Sequence, residues 1–268
     1  MTKIHPSAII STKAELDEDV EIGPYCVVGE GVELSSACVL MSHVVIEGPC
    51  RIASNNRFHP FSSIGGPPQD KKYRGEPTSL DIGHGNVFRE GVTVNRGTAQ
   101  DKGLTRIGSD NWVMAYVHIA HDCIIGNHCI LANSVNLAGH VQLGDYAVLG
   151  GYTGVHQFCQ VGAHVMAGIA SVIVKDVPPY LMISGNAAKP FGLNREGLKR
   201  RGFTGSRLKA MQDSYRILYR EGLRLEEAIT RLREQHQQLI DASLTDEAND
   251  LLLSLRFLDT ATRGIIRP

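Results

Sequence analysis

A period of six residues runs through most of this chain, and it restricts the fold more than any other feature. Stepping by six from Ile4 meets Ile10, Leu16, Ile22, Val28, Leu34, Leu40, Ile46, Ile52, Phe58 and Ile64. The series resumes at Ile82, Phe88 and Val94. After a phase break it runs without interruption between positions 107 and 173. Of the 26 hexads so defined, 25 begin with a bulky apolar residue. The fifth slot is mostly small or β-branched (Ala8, Val20, Val44, Val117, Val135), and the second is glycine in 10 hexads, Gly23, Gly126 and Gly162 among them. Self-similarity of this kind marks stacked structural units. One short strand, one corner and two inward side chains per hexad make one wall of a coil. Three walls close a prism of 18 residues per turn, whose neighbouring coils pair as parallel strands about 4.8 Å apart. The second-slot glycines are expected to supply the positive φ of a tight corner.

Each buried first-slot aliphatic contributes roughly 1.5–3 kcal/mol before chain entropy is set against it, so the core needs no metal or disulfide. Cys26, Cys38, Cys50, Cys123, Cys129 and Cys159 all fall in the inward fifth slot and no two differ by 18. They read as small buried hydrophobes, and an absence of disulfides suits a reducing cytoplasm. With 27 Lys plus Arg against 28 Asp plus Glu, the chain has no basic excess with which to neutralise nucleic-acid phosphates. No apolar run approaches the ~18 residues of a membrane span. Glu15, Asp17, Glu18 and Asp19 stand where a signal peptide would be apolar, so a cytoplasmic location is expected.

The hexads end near Val177-Pro178-Pro179, and the pattern turns helical from about Phe191. A mainly β prism over 1–189 followed by a small α-helical domain over 190–268 is expected. Its helices run from a Ser206 cap to about Arg220, from Leu225 to about Ile240, and from Asp246 to about Thr262. The stretch from Lys189 to Lys209 holds seven cations against Glu196 alone; it reads either as a solvated helix face or as a seat for an anionic partner. Two segments, 65–81 and 99–106, break the repeat and must loop out, as functional excursions from rigid scaffolds often do.

Stacking by 18 places His121 under Gly139, Asp122 under His140, and His156 and Gln157 over Ala138 and Gly139. His121, His140 and His156 then share one edge of the prism within roughly 10 Å of axis, with His118 just before it. His128, Tyr146 and His164 occupy a different edge. His121 follows inward Ile119 by two residues and faces out, whereas Cys123 faces in, which disfavours a Cys/His nucleophilic pair. From spacing alone this edge reads either as a general-base site or as ordinary surface. Zinc coordination, which needs ligands converging at about 2.0–2.1 Å, stays open.

Several segments carry a closer resemblance: Gln69-Asp70-Lys71-Lys72-Tyr73, Gly75-Glu76-Pro77-Thr78, His118-Ile119-Ala120-His121-Asp122-Cys123, Ala138-Gly139-His140-Val141, Val155-His156-Gln157-Phe158 and Gly197-Leu198-Lys199-Arg200-Arg201-Gly202-Phe203. With the hexads they resemble the left-handed parallel β-helix acyltransferases, and more narrowly the UDP-N-acetylglucosamine O-acyltransferases that open lipid A biosynthesis. The resemblance covers essentially the whole chain. It implies a cytoplasmic homotrimer with sites in clefts between prisms. The family moves an (R)-3-hydroxyacyl group from acyl carrier protein to the 3-hydroxyl of UDP-N-acetylglucosamine, the acyl group riding on the carrier's phosphopantetheine arm with no other cofactor and no metal. Carried over by residue, His121 is the general base, Asp122 supports its imidazole, and the Gly139 N–H stabilises the oxyanion. Gln69, Asp70, Lys72, His118, His140, His156, Gln157, Asn194, Glu196, Arg200 and Arg201 hold acyl, sugar and nucleotide parts.

Three positions depart from the family pattern. Asn95 stands where histidine is frequent, Gly66-Pro67-Pro68 alters the approach to Gln69, and Ile169 falls where the resemblance places the far end of the acyl tail, a position at which family members with glycine leave room for a longer chain. The Ile169 side chain implies a short donor, roughly ten to twelve carbons by that analogy. A hexapeptide acyltransferase using coenzyme A, a zinc-dependent lyase on the same prism and a non-catalytic scaffold are the competing functions.

Overall fold

The computed structural model describes residues 3–203 and 205–267. Short strands formed by the sixth and first slots pair in parallel with those 18 residues on: Lys3 with Glu21, His118 with Asn136, Gly154 with Val172. Three walls result, of eleven, nine and eight strands among the described residues. The chain visits them in that order, so the prism has three distinct corners. First- and fifth-slot side chains fill the interior, where Leu40, Ile46, Ile64, Val135 and Leu149 are at most 1% exposed. Phe58 and Phe88 stack there at 5.0 Å. All six cysteines are unpaired and buried, and burial pushes the Cys123 and Cys129 thiols up to about 12. That suits inert packing groups rather than nucleophiles.

The corners are not built as the glycine count suggests. Positive φ falls on the fourth slot, at sixteen non-glycine residues from Tyr25 to Ala170 with φ between 55° and 67°. Such a conformation costs roughly 1–2 kcal/mol for an L-residue. It is held because the fourth-slot N–H donates to the coil before it, as His140 does to the His121 carbonyl at 3.0 Å and Tyr146 to that of Asn127 at 2.8 Å. The second-slot glycines are needed for room instead. A Cβ on Gly144 would lie 2.5 Å from the Ala163 nitrogen, and one on Gly162 2.5 Å from the Pro179 nitrogen.

A second departure lies in the core. Asn56, Asn86 and Asn111 occupy inward fifth slots and are at most 1% exposed. Each side-chain carbonyl accepts the backbone N–H one coil further on: Asn86 N to Asn56 Oδ1 at 3.0 Å, Asn111 N to Asn86 Oδ1 at 2.9 Å, Cys129 N to Asn111 Oδ1 at 2.7 Å. The ladder thereby satisfies buried donors that an aliphatic residue would orphan.

The first excursion is shorter than the broken repeat implies, and the second starts and ends three residues earlier. Ser79–Ile82 is a strand paired with Cys50–Ile52, and Leu104–Ile107 is a strand paired with Ser79–Ile82. The loops therefore span 67–78 and 96–103. The coil also continues past Val177: Leu181–Ser184 pairs in parallel with Met166–Ala167 and folds back antiparallel onto Lys189–Leu193. Helical structure thus begins at α1 (Arg195–Arg200) rather than near Phe191. Next come α2 (Gly205–Tyr219), α3 (Leu225–Asp241) and α4 (Thr245–Thr260). Ser206 lies inside the first turn of α2 rather than at its cap. Met211, Leu218, Leu232, Leu251 and Leu255 form the core these helices share. Buried Asp176 ties the chain's last residues to the prism, accepting from Gln160 N at 2.8 Å and Arg263 N at 3.0 Å. Among the described residues no helix is long and apolar enough to cross a membrane.

Candidate active site

The corner between the nine- and eight-stranded walls carries the histidines. His121 follows the strand His118–Ile119, and its imidazole lies flat on Gly139: a Cβ there would sit 2.5 Å from His121 Cε1 and 2.7 Å from Nε2. Only glycine lets the ring approach the next coil so closely. The ring projects outward from the prism as expected, yet the residue is only 9% exposed. Its Nδ1 hydrogen-bonds the Asp122 carboxylate at 2.8 Å, and that carboxylate is 1% exposed. Two donors from Thr98 hold the carboxylate, the backbone N–H to Oδ1 at 2.9 Å and the hydroxyl to Oδ2 at 2.7 Å. The Asp122 N–H in turn donates to Thr105 Oγ1 at 2.8 Å. His140 meets the His121 ring edge-on at 5.1 Å, pairs through Nδ1 with Asp101 at 2.9 Å, and is backed by the Phe158 ring at 4.4 Å.

His121, Asp122 and His140 offer ligand atoms within 4.8 Å of one another, so a metal must be considered. A tetrahedral ion with bonds of about 2.0–2.1 Å separates its ligand atoms by about 3.4 Å. The 2.8 Å contact between His121 Nδ1 and Asp122 Oδ2 is shorter than that and directed as a hydrogen bond, so the pair is arranged to share a proton.

The same corner gathers most of the other expected residues. His118 is half-buried, with Nδ1 2.7 Å from Thr93 Oγ1, and burial followed by the neighbouring His121 lowers its pKa below the usual histidine range. His156 is exposed beside half-buried Gln157, to whose carbonyl its Nδ1 lies at 3.1 Å. The 67–78 loop arises here too. It leaves Gln69 and Lys72 exposed, whereas Asp70 closes a turn by accepting the Lys72 N–H at 2.9 Å.

The remaining residues lie elsewhere on the chain. Ile169 is 71% exposed on the corner between the eleven- and nine-stranded walls. Asn194 is buried and caps α1, its Oδ1 accepting from Gly197 N at 3.1 Å and its Nδ2 donating to the His164 carbonyl at 2.9 Å. Glu196 and Arg200 are exposed on α1. Arg201 lies over the Tyr146 ring at 5.0 Å and donates to the Tyr146 carbonyl at 3.1 Å. These α1 groups bound a cleft of about 800 Å³ floored by Ile130, Val148, Met166 and Met182 of the eleven-stranded wall. Within one chain, then, the histidines and the cations stand on different corners.

Residues 176–266 match the family model described as UDP N-acetylglucosamine O-acyltransferase, domain 2, and residues 104–139 match bacterial transferase hexapeptide repeats. A relative from Thiobacillus denitrificans, named acyl-[acyl-carrier-protein]--UDP-N-acetylglucosamine O-acyltransferase, is 54% identical over 267 residues, covering 100% of both chains. This chain belongs to the UDP-N-acetylglucosamine O-acyltransferase family. A relative of the same name from Verminephrobacter eiseniae is 51% identical over an equal span. Among solved structures, the UDP-N-acetylglucosamine acyltransferase of Francisella novicida matches with a TM-score of 0.94 at 41% identity, covering 99% of this chain and 94% of that one. The O-acyltransferase of Moraxella catarrhalis matches at 0.92 and 44%, covering 98% and 99%. The prism is accordingly a left-handed parallel β-helix. Reading this acyltransferase-family chain by its repeat misses Thr98, Asp101 and Thr105. All three lie in or beside an excursion, where the 18-residue count has no phase, and only the break in the repeat at 99–106 flags the place.

Proposed function

We propose that this chain transfers an (R)-3-hydroxyacyl group from acyl carrier protein to the 3-hydroxyl of UDP-N-acetylglucosamine, the first step of lipid A biosynthesis, with His121 as the general base. The observation that carries the reading is the buried His121–Asp122 pair laid against Gly139, in a chain of this family. With Nδ1–H donated to Asp122, the Nε2 lone pair is free to take the sugar hydroxyl proton. The sugar oxygen attacks the thioester carbonyl, and Asp122 stabilises the imidazolium so formed. Among the described residues nothing accepts from the Gly139 N–H, which leaves that donor for the developing oxyanion. Collapse of the intermediate expels the pantetheine thiolate, which takes the proton back from His121. Acyl transfer is direct, and the buried cysteines form no intermediate. No cofactor beyond the pantetheine arm takes part.

The split between corners supports a homotrimer. The histidine corner of one protomer and the α1 cleft of its neighbour together supply base, oxyanion donor, cations and apolar floor. A head-to-tail contact of that kind closes into a ring. The third corner carries exposed Tyr25, Phe61, Tyr116 and Tyr152, side chains that suit further burial between copies. Arg200, Arg201 and Lys199 suit the diphosphate of the acceptor and the acidic carrier protein.

The test is to incubate the protein with UDP-N-acetylglucosamine and a panel of hydroxyacyl carrier proteins and coenzyme A thioesters, and to weigh the product. A hydroxyacyl-sugar nucleotide made from carrier-protein donors, with a loss of at least about 10²-fold in His121→Ala, is expected. Transfer from coenzyme A alone, or an undiminished His121→Ala rate, overturns the assignment.

A further inference from the structure

We infer that Thr98 is a positioning residue of the reaction, holding Asp122 so that His121 keeps its proton on Nδ1 and its lone pair on Nε2. The inference rests on the general-base reading of His121.

Among the described residues Asp122 is the only acidic group in contact with His121 Nδ1, and it is 1% exposed on its side chain. A buried carboxylate that meets the base through one oxygen is free to rotate unless something else fixes its plane. Thr98 does this from both sides. Its backbone N–H takes Oδ1 at 2.9 Å, and its hydroxyl takes Oδ2, the same oxygen that His121 faces, at 2.7 Å. A hydroxyl donating to Oδ2 also removes the orientation in which that oxygen turns away from the imidazole. Thr98 is itself 2% exposed and belongs to the 96–103 loop, so it reaches Asp122 across the corner from 24 residues away. Nothing in the fold requires a hydroxyl there: the loop closes on itself through the Gly103 N–H to the Thr98 carbonyl at 3.0 Å. The same loop carries Asp101, which fixes His140 from its far side at 2.9 Å.

Removing the hydroxyl without changing the shape isolates this role. Thr98→Val keeps the backbone donor and the volume but leaves Oδ2 with its His121 hydrogen bond and a longer contact to His140 Nε2 at 3.7 Å. The carboxylate then rocks, and the neutral imidazole samples both tautomers. The charged and titratable groups facing His121 are Asp122 on its own coil, His118 on the strand before it and His140 on the next coil. Asp101 lies behind His140. Thr98→Val changes none of them.

Three readouts are taken together. Steady-state kinetics of Thr98→Val are expected to show kcat lowered about ten- to a hundredfold, the scale for outer-shell partners of an oriented histidine, with KM for the sugar nucleotide within about threefold. Nitrogen-15 NMR of histidine-labelled protein, without substrates, is expected to show a single Nδ1–H tautomer for His121 in the parent and a mixture in Thr98→Val. Thr98→Ser is expected to restore both the rate and the tautomer. Thr98→Ala, smaller than valine, serves if valine disturbs folding, with circular dichroism and Tm as the check. A parent-like tautomer and kcat in folded Thr98→Val and Thr98→Ala overturn the inference, as does failure of serine to rescue. If His121→Ala instead keeps full activity, the general-base reading itself falls, whatever Thr98 does.

Discussion

Gly139→Ala turns the His121 corner into a quantitative test. The substituted Cβ would lie 2.5 Å from His121 Cε1, 2.7 Å from Nε2 and 3.0 Å from Nδ1. Ordinary contact begins at about 3.4 Å, so the imidazole must withdraw by about 0.9 Å along the closest line. It cannot withdraw freely, because Nδ1 is tied to Asp122 at 2.8 Å and the ring edge meets His140 at 5.1 Å. Either the Asp122 bond lengthens or the ring tips, and both move Nε2 off the position from which it would take the acceptor's proton. A misplacement near 1 Å can cost about 10²-fold in rate. The expected result is kcat reduced about a hundredfold, with the sugar-nucleotide KM changed far less. Gly139 has no positive φ to lose, so any loss of stability comes from the crowded contact alone, about 1–3 kcal/mol. Gly154→Ala is the matched control: it lies on the same nine-stranded wall one coil further, and an added Cβ meets nothing within 4 Å. Kinetics and thermal unfolding of both variants decide the matter. A folded Gly139→Ala protein with kcat within twofold of the parent would show that the ring's position does not govern the rate.

Other perturbations test other levels of the argument. Asn86→Leu deletes the centre of the buried amide ladder and orphans Asn111 N, Asn111 Nδ2 and the Gly108 carbonyl; at about 1–3 kcal/mol per orphaned group, unfolding by denaturant should show a loss of at least about 3 kcal/mol, and a neutral effect refutes the ladder's role. His164 is held down to about 4 by burial and then by the Arg201 charge. The unfolded imidazole protonates near 6.5 and the folded one only near 4, so the unfolded state binds more protons between those values. Stability is therefore full above pH 6.5 and falls as pH drops toward 4, by at most about 3 kcal/mol. His164→Phe should remove that part of the slope, and equal slopes in parent and variant refute the assignment. Ile169→Gly should move donor preference toward longer acyl chains in a competition assay; an unchanged preference removes Ile169 from any chain-length role.

How far the fold could be read depends on which physical signal each part carries. The register is legible because a first-slot residue in a closed coil must be apolar whatever its neighbours are, so Ile119, Leu137 and Val155 mark the same wall by spacing alone. From them the His121–Gly139 stack follows, since the corner has no freedom to slide. The fourth-slot corner conformation is not legible. His140, Tyr146 and Ala170 share it, and what holds these three is a backbone bond to the previous coil that no side chain announces. Asn86 is equally silent: a polar residue in an inward slot reads as a break until its partners one coil away are known. Helix α1 is six residues long, too short for a 3.6-residue period to stand out, and the Lys189–Leu193 strand before it sits under a helical reading for the same reason. Thr98 and Asp101 escape because loop length resets the count.

Yet the loops are not placed at random, and their placement explains how the His121 corner is built. Extra residues can enter such a coil only at a corner, since one more residue in a strand turns every following side chain from core to solvent. Leu80 pairs with Cys50, thirty residues away, and Arg106 with Asp81, twenty-five away, where regular coils space partners by eighteen. Both insertions use the corner between the nine- and eight-stranded walls, in the two coils directly before the one bearing His121. They then lock together in sequence. Asn95 Nδ2 donates to the Pro67 carbonyl at 2.9 Å, Arg96 reaches the Gly65 carbonyl and Tyr73, and Thr98 and Asp101 grip Asp122 and His140. A histidine on a bare corner would be wet, mobile and indifferent to its neighbours. Here the preceding coils build a wall beside it and fix its carboxylate partner. The electrostatic surroundings of His121 are therefore set by chain inserted one and two turns earlier, while the face of its ring toward the next coil is closed by Gly139.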